Sequence, residues 1–160
     1  MREVKKINKI LIAVAFSDQS EGHFLYAAYL ADLTKAELFV LSVINRRDID
    51  AAAVFARLAG SSALTVDQFT QIEIKRRKDR VNETLNSVDL GNIRHKTLVR
   101  IGNPFEVVME VINELKVDIV VMGTRGAIVK DEQYSILTGS VAEKVFRHSP
   151  VPVLSVRGDL

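Results

Sequence analysis

Short apolar runs alternate with amphipathic segments along this chain, and that alternation constrains its fold more than any other feature. Ile7 to Val14, Ala36 to Ile44, Val117 to Met122 and Val151 to Val156 are short, apolar and rich in β-branched residues, which predicts buried strands. A further run, Ile93 to Ile101, is interrupted by Arg94, His95 and Lys96, a pattern suited to a wet sheet edge. Helix signals lie between the runs. Asp18 with Glu21 resembles a capping box, and Phe24, Ala27, Ala28 and Ala31 then share one apolar face. Asn103 caps a second helix, with Pro104 at its first position and Glu106 completing a box. Phe105, Val108, Met109, Ile112 and Leu115 form its buried face. Ser140 caps the last helix with Glu143 three residues on, and Arg147 and His148 suit its negative end. Asn45 to Asp67 is long for a βα connection; Ala51 to Leu58 reads as a short helix ending at Gly60, and the next helix as about Val66 to Leu85.

Strands alternating with helices argue for a parallel sheet with right-handed crossovers. The expected fold is therefore α/β, and five strands with four main helices allow a doubly wound, open five-stranded parallel sheet of order 3-2-1-4-5, with helices on both faces. That order puts the third strand at an edge. It also puts strands 1 and 4 on either side of the switch point, where ligands bind at the C-terminal ends of strands. The 160 residues read as a single domain, 1–160. With 48% hydrophobic and 26% charged residues the composition is that of a soluble globular protein, and a net charge of +2 is too small to argue for nucleic acid. The chain has no cysteine, which excludes disulfides and thiol chemistry. Its N-terminus lacks the pattern of a signal peptide, and no apolar run is long enough to span a bilayer. The expectation is a cytoplasmic protein with neither membrane nor nucleic acid as partner.

Chemistry concentrates near the C-terminus. Gly123-Thr-Arg-Gly126 directly follows the fourth strand; Gly139-Ser140-Val141 opens the last helix after a 12-residue gap, Ala127 to Thr138. A strand running into a glycine turn with a helix N-terminus nearby can hold phosphate, because free N–H groups and the helix dipole favour an anion. The plainer reading of Gly123 and Gly126 is a tight turn serving only the backbone. Ser140 as a cap competes with Ser140 as a donor to phosphate.

Asp118-Ile-Val-Val-Met-Gly-Thr-Arg-Gly126, Gly139 to Leu154, Lys9 to Ser20 and Gly102-Asn-Pro-Phe105 together resemble the universal stress protein family. Asn45 to Asp67 is the least familiar stretch. The resemblance implies the fold above, often as a homodimer, and in many members, though not all, a bound ATP or related adenine nucleotide, for which Mg²⁺ is a candidate companion here. Carried over position by position, it sets adenine near Val43 and the Ala15 turn. The backbones of Met122, Gly123 and Gly126 line the ribose–phosphate path, and Gly139, Ser140 and Val141 hold phosphate, with Arg125 a candidate contact. The role implied is regulatory. Hydrolysis is at most slow, since no general base, Ser-His-Asp set, Walker lysine or metal cluster stands out. Val151, Val153 and Leu154 offer an apolar edge for pairing through the C-terminal strand.

Two departures bear on this reading. Nucleotide-binding relatives carry an acid at the end of the first strand, where this chain has Ala15. Losing one such hydrogen bond costs about 1–3 kcal/mol, roughly fivefold to more than a hundredfold in affinity. The Ala127–Thr138 loop is also longer than is usual in the family. Its Lys130, Asp131 and Glu132 read as a solvated tip, or as a phosphate contact and, for the acids, Mg²⁺ ligands. The alternative is a universal stress protein that binds no nucleotide and acts through dimerisation and protein partners. A third reading, an adenylyl-transferring enzyme, lacks a histidine pair near the first turn. Lys75 to Arg80 reads as the wet face of a helix or a patch for an acidic partner. His23, His95 and His148 lack ligand spacing, and His23 is expected at the surface or a packing boundary.

Overall fold

A computed structural model describes residues 5–14, 20–60, 65–123 and 140–156. In chain order the elements are β1 (Lys9–Val14), α1 (Ser20–Thr34), β2 (Glu37–Asn45), α2 (Arg46–Leu58), α3 (Val66–Ser87), β3 (His95–Gly102), α4 (Pro104–Leu115), β4 (Ile119–Gly123), α5 (Ser140–His148) and β5 (Val153–Val156). The strands form one parallel sheet of order β3-β2-β1-β4-β5, as expected. β1 lies at its centre, and Ile10, Leu11 and Ile12 are fully buried because both sheet faces are covered.

Side chains alternate between two cores, as the period of a strand requires. Ile10, Ile12, Val14 and Val40 pack with Phe24, Ala27, Ala28 and Ala31 of α1 and Val81 and Leu85 of α3. Leu11, Ala13, Leu41 and Met122 pack with Val107, Val108, Val111 and Ile112 of α4 and Val145 of α5. Strand β3 stands at the edge expected of it. Its lysine is not stranded there: Lys96 pairs with Glu37 of β2 at 3.3 Å.

Two local features pin α4. The Asn103 side chain accepts from the N–H groups of Phe105 (3.0 Å) and Glu106 (3.3 Å), as a cap should. A Cβ on Gly102 would lie 2.7 Å from the Val107 side chain, so only glycine lets the chain enter the helix this closely. The buried face of α4 is wider than the sequence reading, since Val107 and Val111 are buried as well.

Helix α2 differs from expectation. It begins at Arg46 rather than Ala51, with Asn45 as its cap accepting from the Arg47 N–H at 3.1 Å. The polar run Arg46-Arg47-Asp48 hides that start, and the buried Ile49 is what docks the first turn. The capping box proposed at Asp18 and Glu21 involves Asp18, which lies outside the described residues, and the Glu21 side chain is not described either.

At the N-terminal ends of β1 and β4 the Asp118 carboxylate, 7% exposed, accepts from the backbone N–H groups of Asn8 (2.9 Å) and Lys9 (3.0 Å) and pairs with Lys5 at 2.7 Å. Burial raises its pKa, but Lys5 and the two backbone donors outweigh that and leave it below the usual carboxylate value. Asp118 thus fastens the sheet at the end away from the switch point.

Candidate functional site

The strand order brings the C-terminal ends of β1 and β4 together at the switch point. Ala13 is the register partner of Met122, so Val14 and Gly123 close the two strands side by side. On the other flank Val14 is the partner of Ser42 and β2 runs on to Val43. Val43, Met122 and Val141 all pack on the core that α4 and α5 cover. Of the residues assigned to a nucleotide, these three share one sheet face, and Gly123 ends the strand that carries Met122. Ala15, Arg125, Gly126 and Gly139 lie outside the described residues, as do Lys130, Asp131 and Glu132. Ser140 is the first residue of α5, and its side chain is not described.

Helix α5 reaches the site through packing. Val145 is fully buried. The rings of Phe105, in the first turn of α4, and His148, in the last turn of α5, meet edge-on at 5.8 Å. The Glu143 carboxylate, in the first turn, is paired with Arg147 at 2.9 Å.

The opposite face of the same rim holds two buried polar side chains. Ser42 is fully buried, and the Arg77 guanidinium approaches its hydroxyl at 3.5 Å. Arg77 therefore turns inward from the basic run, whereas Lys75 pairs with Asp79 at 2.6 Å on the wet side of α3. Only part of Lys75 to Arg80 is thus a solvated face.

The second is His23. It is 6% exposed and packed against a strand end, the boundary rather than the surface of the two places expected. Its ring lies against Gly123, so closely that a Cβ at residue 123 would overlap it. Burial lowers the imidazole pKa below 6.5, opposed in part by a hydrogen bond to the Val156 backbone that favours the protonated ring. The ring is accordingly neutral at pH 7. One signal could have found it: His23 lies four residues before Ala27 and eight before Ala31, on the buried stripe of α1.

Among the described residues no cluster of three or more His, Cys, Asp or Glu could hold a metal ion, and no helix is long and apolar enough to cross a membrane.

The family model described as "Universal stress protein family" matches residues 6–157. The universal stress protein MJ0577 of Methanocaldococcus jannaschii is 29% identical over 156 residues, covering 93% of this chain and 94% of that protein. The solved structure of MJ0577 superposes with a TM-score of 0.74 at 26% identity, covering 96% of this chain and 97% of that one. A universal stress protein solved in complex with cAMP is similar at a TM-score of 0.61 and 20% identity, over 97% of this chain and 100% of that one. Another, from Archaeoglobus fulgidus in complex with dAMP, is similar at 0.62 and 16% identity, over 94% and 98% of the two chains.

Proposed function

Since the chain belongs to the universal stress protein family, we propose that it binds an adenine nucleotide, ATP or a close relative, in the crevice between β1 and β4. The observation that carries this reading is the paired ending of β1 and β4 at the switch point of the sheet. Relatives of the same fold hold cAMP and dAMP, which supports an adenine nucleotide as the ligand class. In this reading adenine lies near Val43 and the Ala15 turn. The backbones of Met122, Gly123 and Gly126 follow the ribose and phosphates, with Arg125 beside them. Gly139, Ser140 and Val141 hold the phosphate, with Mg²⁺ accompanying it. The role is regulatory, with at most slow hydrolysis.

Calorimetric titration of the nucleotide-free protein with Mg-ATP tests it. One saturable site per chain is the expected result; no binding of ATP, AMP or cAMP at millimolar concentration overturns it.

A second reading has its own support. Ala15 removes the acid that nucleotide-binding relatives carry, while Leu25, Tyr29 and Leu33 of α1 are exposed large apolar side chains at helical spacing. On this reading the chain is a single-domain homodimer, paired through the edge strand β5, that acts on a protein partner. Sedimentation that finds only monomer at tens of micromolar removes it.

A further inference from the structure

His23 is a buried polar side chain that the nucleotide reading leaves unused. It belongs to α1 yet meets two strand ends at once. Its ring lies on Gly123, the last residue of β4, and bonds to the backbone of Val156, the last residue of β5. Those two residues are register partners. The ring therefore joins α1, β4 and β5 at the rim where β4 ends.

The same contact accounts for glycine at position 123. Gly123 does not have a positive φ, so its backbone conformation does not itself require glycine. What a larger residue meets is the imidazole, whose carbon and nitrogens stand where a Cβ would fall. A neutral imidazole suits the place. It lays Cε1 and Nε2 against the glycine and offers an N–H to the Val156 backbone, which would otherwise lose that partner. An alkyl side chain could fill the space but not make that hydrogen bond.

We infer that His23 is a positioning residue for this site: its ring, seated on Gly123 and bonded to Val156, sets the C-terminal ends of β4 and β5 against α1, and residue 123 is glycine to admit the ring. The effect on ligand affinity rests on the nucleotide reading; the pairing of the two residues does not.

The test is a double-mutant cycle on the full chain, comparing wild type, His23→Ala, Gly123→Ala and the double variant by urea unfolding and by Mg-ATP titration. Gly123→Ala alone is expected to unfold at markedly lower urea. The double variant is expected to be more stable than Gly123→Ala, with a coupling on the order of tenfold in the unfolding equilibrium. Should Gly123→Ala fail to fold, a folded double variant gives the same result. Additive losses, a Gly123→Ala protein as stable as wild type, or a double variant no better than Gly123→Ala overturns the pairing. At a temperature where every variant is folded, His23→Ala is expected to weaken Mg-ATP binding several-fold, and His23→Gln, which keeps an N–H donor, to restore most of it. Affinity unchanged in His23→Ala overturns the positioning role. Wild-type protein that binds no adenine nucleotide removes the nucleotide reading, and the unfolding cycle then decides the pairing by itself.

Discussion

The imidazole of His23 occupies the space in which a Cβ of residue 123 would stand. The two residues are a hundred positions apart in the chain, and neither explains the other until α1 is laid across the end of β4. The contact makes one strand end depend on a titratable group.

Stability should therefore depend on pH near His23. Its folded-state pKa is held below 6.5, so the unfolded chain takes up the proton more readily. Stability then rises with pH between the folded value and 6.5, and is lost as pH falls through that window. Urea unfolding of wild type and His23→Gln at pH 7.5 and 5.5 checks this. The drop on acidification is expected to be smaller in the variant.

Asp118 supplies a contrast at the far end of the sheet. One of its oxygens accepts both backbone donors, so Asp118→Asn keeps an acceptor while Asp118→Ala leaves two N–H groups without one. Losses of about 1–2 kcal/mol for Asn and about 2–4 kcal/mol for Ala are expected. Nucleotide affinity should be unchanged in both at temperatures where they are folded. Its depressed pKa adds stability above 3.8 that disappears as pH falls through the lower, folded value; acid unfolding of wild type and Asp118→Asn measures that share.

Asn103 tests the entry to α4. Its side chain serves two backbone donors, so Asn103→Ala should cost about 1 kcal/mol and Asn103→Asp much less. Thermal unfolding of the three proteins separates a cap from a mere surface polar residue, for which both changes would be silent.

On the proposed nucleotide reading, Ala15 is the place to gain affinity. Placing there the acid that the family resemblance implies at the end of the first strand, Ala15→Asp, should tighten Mg-ATP binding by roughly fivefold to a hundredfold. Calorimetry on the two proteins checks it. Equal affinity would mean that residue 15 does not face the nucleoside.

Much of this protein could be read along the chain. Which runs become strands, the wet pattern of β3, the Asn103 entry to α4 and the buried face of α1 follow from periodicity and capping, which are local properties of a few neighbouring residues, whereas the alternation only allowed the strand order that the family resemblance implied. The start of α2 could not be read so, because a polar first turn docked by Ile49 alone leaves no apolar period. Arg77 turning in to Ser42 was equally hidden, since a basic run looks alike on its wet and dry sides. The glycine at 123 was legible as a residue but not as a reason. Its pattern suggested a backbone conformation or an anion, and the reason is a ring from another helix. By itself the sequence determined which segments become strands and helices and how they alternate along the chain. The tertiary structure alone decided which side chains meet at the strand ends, because those contacts join residues far apart in the chain, whose packing no local period encodes.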